Sequence, residues 1–283
     1  GEPDPTLDSD DEERGPVWAN VNGVEANTQT GDGLVQLRSN SWRFQAGVDL
    51  ARHRSDSGGV LRAGTFVQYG QADTDTQAVL NPARGNAEVT GYGLGVYATW
   101  FGDPDTMLGA YVDGWLQYSR FENEVDGSAG YHADYDASGW AASLEAGYAI
   151  ALSKRIVLEP QLQYVRVNLE TDGLIDSSHT QIVDLTRSDW VARVGARLYG
   201  VPDKPGGFSP FVEVNWWRRA GNASMQFNTD QVDHLMPKSL PTVDVGVQGN
   251  FGHGWNAWVR LGSDISDERY EEISGSLGLR FQW

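Results

Sequence analysis

Ile273-Ser274-Gly275-Ser276-Leu277-Gly278-Leu279-Arg280-Phe281-Gln282-Trp283 closes the chain. Ile273, Leu277, Leu279, Phe281 and Trp283 fall on odd positions, and Ser274, Ser276, Gly278 and Arg280 on even ones. A period of two puts alternate side chains on opposite faces, so this stretch is a β-strand with one apolar face and one small or polar face. A soluble sheet ending on such an apolar edge would invite edge-to-edge aggregation. A strand that closes a barrel in a bilayer has no such problem, because its apolar face meets lipid.

Working back from this strand, the same alternation recurs along the chain. A first strand spans about Val17 to Ala26. A second carries Trp42, Phe44, Ala46, Val48 and Leu50 on one face and Arg43, Gln45, Gly47 and Asp49 on the other. Later apolar faces begin at Leu61, Tyr92, Ala110, Trp140, Leu158, Trp190, Val212, Val243 and Trp255. Turn residues such as Asp56-Ser57-Gly58-Gly59, Gly102-Asp103-Pro104 and Gly252-His253-Gly254 separate successive strands.

The count with the closing strand is twelve. Connections after even strands read as short, and those after odd strands as mostly long and polar, including Asp73 to Glu88, Glu170 to Arg187 and Ala220 to Ser239. The expected fold is therefore all-β: a 12-stranded antiparallel transmembrane β-barrel with short periplasmic turns, longer external loops and a periplasmic C-terminus. Trp42, Trp140, Trp190 and Trp216 fall near expected external strand ends, and Trp100, Trp255 and Trp283 near periplasmic ones. Two aromatic belts at the membrane interfaces follow from that sorting.

Composition agrees with this class. The 283 residues include 34 Gly, 11 Trp, 11 Tyr and 9 Phe. No apolar run is long enough for a spanning helix, which takes about 20 residues. A chain without cysteine has no disulfide framework and no thiolate metal site. Its net charge of −18 argues against nucleic-acid binding, which calls for a basic surface.

Residues 1–16 read as an acidic linker and 17–283 as the barrel. Glu2, Asp4, Asp8, Asp10, Asp11, Glu12 and Glu13 crowd the first of these segments, with Leu7 its one large apolar residue. Such a segment buries too little surface to offset its ordering entropy. It reads as a solvated tail, or as one entering the lumen. Its clustered aspartates lack the glycine and terminal glutamate spacing of a calcium loop.

The remaining face of each strand must line the lumen. It carries the acids Asp49, Asp113, Glu145, Glu159, Glu213 and Asp244 and the arginines Arg43, Arg62, Arg193, Arg197, Arg260 and Arg280. Charges there pair across the wall, line a wet passage, or grip a plug. Glu145 and Glu159 lie across one hairpin, where they either share a proton or pair with Arg193 or Arg197. Gly91, Gly93 and Gly95 share one inward face and are expected to clear the lumen for a segment of polypeptide. The same run lacks the lysine and helix that a phosphate-binding loop requires. His53, His179, His234 and His253 fall in turns or loops, and His132 just ahead of the sixth strand, with no serine and carboxylate at a recognisable spacing. No cofactor, metal site or catalytic residue is expected.

These residues carry a family resemblance. Tyr111-Val112-Asp113 with Arg120-Phe121-Glu122-Asn123, Ser143-Leu144-Glu145-Ala146-Gly147-Tyr148, Leu158-Glu159-Pro160-Gln161, Pro210-Phe211 and the closing strand together resemble the translocator β-domain of monomeric autotransporters. The resemblance implies an integral outer-membrane domain that supports secretion of its own N-terminal passenger, with a linker or short helix in the lumen. It implies outer-membrane lipids and lipopolysaccharide, periplasmic chaperones, the barrel-assembly machinery and the passenger as partners of a monomeric barrel. Leu277, Leu279, Phe281 and Trp283 are then the assembly signal. Some members sever the passenger with an asparagine and lumen carboxylates. The competing functions are an outer-membrane hydrolase with a site on the barrel rim and a simple diffusion pore.

Overall fold

The structure, a computed structural model, describes residues 16–282 apart from 31–32, 57, 81, 173, 176–180, 183–184, 203–206, 220–223, 228–229, 234–236 and 267–269. The acidic segment 1–15, Trp283, His179 and His234 thus lie outside the described residues.

Strand formation follows the two-residue period of the sequence. In chain order the first strands are β1 (Val17–Gln29), β2 (Val35–Arg54), β3 (Val60–Ala78) and β4 (Arg84–Asp103). They continue as β5 (Leu108–Gly127), β6 (Tyr131–Ala151) and β7 (Ile156–Thr171). A two-stranded ribbon, β8 (Leu174–Ile175) with β9 (Gln181–Ile182), interrupts the sequence before β10 (Leu185–Gly200) and β11 (Phe208–Arg219). A second ribbon, β12 (Ser224–Phe227) with β13 (Asp230–Asp233), precedes β14 (Ser239–Gly252), β15 (Trp255–Asp264) and β16 (Tyr270–Phe281).

Leaving the ribbons aside, twelve strands pair antiparallel with their chain neighbours, and β1 pairs with β16 to close the barrel. The closing register runs from Val17 opposite Phe281 to Thr28 opposite Tyr270. Closure satisfies every edge, the condition for backbone in a hydrocarbon layer. One end, the terminal end, holds Val17 and Phe281. The other is the loop end. At the terminal end Gly252, His253 and Gly254 all have positive φ (78°, 54° and 78°), a path that two glycines make cheap.

The outward face is apolar on all sides. Leu50, Val67, Leu94, Leu116, Leu144, Leu162, Val194, Val245 and Leu261 are all exposed there. Such a surface is insoluble unless lipid covers it. From Trp42 to Leu50 a strand rises about 26 Å, or about 20 Å along a barrel axis tilted by ~40°, close to the ~25 Å apolar band of an outer-membrane barrel.

Strand lengths depart from the expectation at the loop end. The segments read as long loops from Asp73 to Glu88 and ahead of the sixth strand are largely paired: Asp73 faces Glu88, Asp75 faces Asn86, and Asp126 faces His132. His132 accordingly lies within β6, and His53 within β2. The outer face turns polar here, which erases the hydrophobic period without stopping the backbone ladder. The barrel is therefore tall along β2–β6, with strands of 19 to 21 residues, and short around β14–β16 and β1, with strands of 10 to 14.

Candidate functional site

The lumen is the part of the fold where chemistry concentrates, and its two walls differ. On the wall from β5 to β15 the inward charges form a buried network. Arg193, 4% exposed, is its hub. Its Nη1 donates to Gln161 Oε1 at 2.9 Å, Glu213 Oε1 at 2.7 Å and Asn215 Oδ1 at 3.0 Å, and its Nη2 to Glu145 Oε2 at 2.8 Å. Tyr111 donates to the other oxygen of Glu145 at 2.7 Å. Arg260 approaches Glu213 at 3.2 Å. Asn215 donates to Glu213 at 2.8 Å and to Asp244 at 3.3 Å.

One layer nearer the terminal end, Arg197 faces Glu159 and Glu213 across the ladder. It donates to Gln248 at 2.7 Å and lies 4.2 Å over the Phe211 ring. Glu159 accepts from Gln161 at 2.8 Å. Glu145 and Glu159 thus take separate donors. Charges this deep persist only when paired and hydrogen-bonded, and removing one partner of such a set costs about 3–5 kcal/mol.

The wall formed by β16, β1, β2, β3 and β4 is built otherwise. Asp49 accepts a hydrogen bond from the Tyr97 hydroxyl, which in turn accepts one from Trp18 Nε1 at 2.9 Å. Arg280 reaches across β1 to Asp49 at 3.4 Å. Arg62 is half-buried close to both, with its Nε buried and unpartnered. Further along β2, opposite Asn22 and Gly70, Arg43 is exposed to the lumen. Neither Arg43 nor Arg62 forms an ion pair among the described residues. Asp113, on β5, accepts from the Thr99 hydroxyl on this wall's edge.

The inward glycines require a correction. A Cβ on Gly95 would lie 2.3 Å from Phe66 Cζ, one on Gly93 2.8 Å from Gln117 Nε2, and one on Gly91 2.9 Å from Phe121 Cδ1. The space above them belongs to neighbouring side chains, not to open lumen. The pattern is general: Trp18 lies opposite Gly47, Phe66 opposite Gly95, Tyr111 opposite Gly147, Phe211 opposite Gly246 and Trp258 opposite Gly278. In each pair a missing side chain lets an aromatic ring lie against the sheet, a close approach that only glycine permits.

On the outside, Trp42, Trp100, Trp140, Trp216 and Trp255 are exposed, and Trp190 is half-buried, stacked on Tyr164 at 6.2 Å. Trp42 meets Tyr69, and Tyr69 meets Tyr92, at ring separations of 5.3 and 5.2 Å, which extends the loop-end girdle around the wall. Trp255 packs on Phe281 at 4.6 Å at the terminal end. Leu277 and Leu279 are exposed on the same outer face.

Beyond the girdle, the His132 ring sits 2.8 Å from Asp126 and 3.1 Å from Asp134. The Asp126 hydrogen bond and the Asp134 charge hold its pKa above the ordinary imidazole value. Glu124, His132 and Asp134 form an exposed group whose ligand atoms lie within 4.8 Å of one another. Sequence reasoning passed over the inward roles of Trp18, Tyr97, Tyr111, Gln161 and Asn215. Strand parity alone assigns them inward; their partners follow only from register.

The family model described as autotransporter beta-domain matches residues 17–262. A relative, the uncharacterized protein YuaQ of Escherichia coli (strain K12), is 30% identical over 94% of this chain and 20% of its own length. The chain spans from a fifth to three fifths of the length of the first curated relatives it matches. The fold is similar to the transport unit of the autotransporter AIDA-I from Escherichia coli, with a TM-score of 0.83 at 20% identity over 98% of this chain and 93% of that one. It is also similar to the β domain of the Bordetella autotransporter BrkA, with a TM-score of 0.73 at 21% identity over 96% of this chain and all of that one.

Proposed function

Because the chain belongs to the autotransporter β-domain family, we propose that residues 17–283 form an outer-membrane translocator and residues 1–16 the linker that joins it, through the lumen, to a secreted N-terminal passenger. The observation that carries this reading is the closed 12-stranded wall with a lipid-facing outside and a lumen lined by charges. A wall of that kind holds a polypeptide in water while shielding it from the bilayer. The terminal end faces the periplasm, since the two long connections, from β7 to β10 and from β11 to β14, both leave the other end, and the longer loops of outer-membrane barrels are external.

Lipopolysaccharide and lipid contact the girdled exterior. Periplasmic chaperones and the barrel-assembly machinery bring the chain to the membrane as a monomer, and Leu277, Leu279, Phe281 and Trp283 form the signal they read. The domain acts by holding and passing its linker, not by catalysis. The polar inner wall supports this role, because it offers hydrogen bonds and charge along the passage instead of a single reactive constellation.

The test is export of an epitope-tagged passenger fused ahead of Gly1. Protease added to intact cells should remove the tag, while the barrel stays protected and shifts on an unheated gel. An inserted barrel whose tag stays inaccessible would refute the reading.

A further inference from the structure

The lumen charge is unevenly shared. On the β5–β15 wall Glu145, Glu159, Glu213 and Asp244 stand among Arg193, Arg197 and Arg260, and hydrogen bonds tie the set together. On the β16–β4 wall Arg43, Arg62 and Arg280 have one carboxylate among them at mid-wall, Asp49. That carboxylate is already committed to Tyr97 and Arg280. Arg62 also feels the like charges of Arg280 and Arg52. A half-buried guanidinium in that setting favours an anionic neighbour.

We propose that this wall is a cationic track that seats the acidic segment Glu2–Arg14, with its carboxylates on Arg43, Arg62 and Arg280. Three observations select this occupant. The segment carries seven acids against one arginine. Its attachment point is correct, because the carbonyl of buried Pro16 accepts a hydrogen bond from Asp49 N at 3.0 Å, beside Arg280 and Arg62. Its length is also sufficient. From Asp49 to Arg43 a strand rises about 20 Å, and thirteen residues reach about 20 Å even when wound as a helix.

Between the arginines the wall is lined by Gln45, Gln68, Asn20 and Asn22, with Gly70 beside Arg43, so a neighbouring backbone finds donors and acceptors there. The opposite wall offers no such seat, since its arginines are already held by Glu145, Glu213 and Gln248. The inference rests on the proposed placement of the linker in the lumen and adds which wall holds it and by what chemistry.

The chain contains no cysteine, so paired cysteines report proximity directly. In purified barrel, Asp11→Cys combined with Gln68→Cys on β3 should cross-link with a short bis-maleimide. Asp11→Cys with Gln163→Cys on β7 should not. Cross-linking to both walls alike, or to β7 alone, overturns the track while leaving a lumen linker intact. Planar-bilayer recording supplies a second reading. Deleting residues 1–14 should raise conductance severalfold and shift the pore's selectivity from potassium toward chloride. Arg43→Glu with Arg62→Glu in the intact chain should raise conductance as well, by releasing the segment. A rise on deletion but none in the arginine variant overturns the track alone. No rise on deletion overturns both the track and the linker's place in the lumen.

Discussion

Replacing Arg193 with glutamine tests whether the buried network holds the barrel in shape. Arg193→Gln removes four hydrogen bonds of 2.7 to 3.0 Å and leaves Glu145 and Glu213 buried without their shared cation. Removing one partner of a buried ion pair costs about 3–5 kcal/mol, chiefly because the surviving charge keeps its desolvation penalty. Two features pull the value toward the lower end. Glu213 retains Arg260 at 3.2 Å, and Glu145 retains the Tyr111 hydroxyl at 2.7 Å. A loss of about 3 kcal/mol is therefore expected, measured by urea unfolding of the barrel in lipid vesicles and followed by tryptophan fluorescence. The same argument has a second half. Combining Arg193→Met with Glu145→Leu and Glu213→Leu removes that cation with both of its carboxylates and should restore part of the loss, because apolar groups of similar volume escape the desolvation term while Arg260 gives up its contact with Glu213. A single variant losing under about 1 kcal/mol would mean that lumen water solvates the network and that it contributes little. A triple variant as unstable as the single one would mean that packing, not charge, sets the cost.

Other perturbations address other surfaces. Val245→Arg places a cation on the lipid face, where Val245 is 49% exposed, and should cost about 2–4 kcal/mol near the midplane in the same unfolding assay; no effect would mean that this face does not meet lipid. Gly95→Ala puts a methyl group 2.3 Å from Phe66 Cζ and should cost about 1–3 kcal/mol through overpacking, with recovery when Phe66→Ala is added. Absence of recovery in that double-mutant cycle would rule out the ring contact as the cause. His132 should titrate above 6.5 by nuclear magnetic resonance, and Asp126→Asn or Asp134→Asn should lower its pKa. With the folded value raised, the His132 contacts stabilise the β5–β6 hairpin fully below the unfolded value near 6.5 and lose that effect as pH rises through the folded value. An unshifted His132 would mean that the two carboxylates do not face the ring in solution.

The outer face was the most legible part of the molecule, because the bilayer imposes a rule on every strand. Trp42, Phe44 and Leu50, or Val243, Val245 and Val247, alternate with polar residues as a lipid-facing wall requires. Beyond the girdle that rule lapses. Asp73, Asp75, Glu122, Glu124 and Asp134 are outward in the same ladder, yet no apolar period marks them, so strand reads as loop. The lumen was half legible. Parity alone assigns Arg193 and Glu213 to the inside, but their hydrogen bonds depend on strands that register brings side by side. The glycines show the same limit more sharply. Gly95 announces a missing side chain, while Phe66, which fills the gap, lies far away in sequence and is adjacent only once β3 and β4 pair.

Register also explains why the walls differ in charge. Strands β10, β11 and β14 bring Arg197, Glu213 and Asp244 into one rung, with Arg193 four residues along β10 reaching Glu213 from Trp217's rung, so opposite charges can satisfy one another. At the closing seam β1 and β16 instead oppose Asn20 with Gly278, Asn22 with Ser276 and Val24 with Ser274. Small uncharged groups there let two ladder edges meet without stripping water from paired ions, so the seam is held by backbone hydrogen bonds and by Arg280 reaching over it to Asp49. The strand that carries Leu277, Leu279 and Phe281 on its outer face thus presents a nearly neutral inner face to its partner. Two and three strands away, on β2 and β3, Arg43 and Arg62 form no ion pair among the described residues, which leaves their charge for an anionic occupant of the lumen.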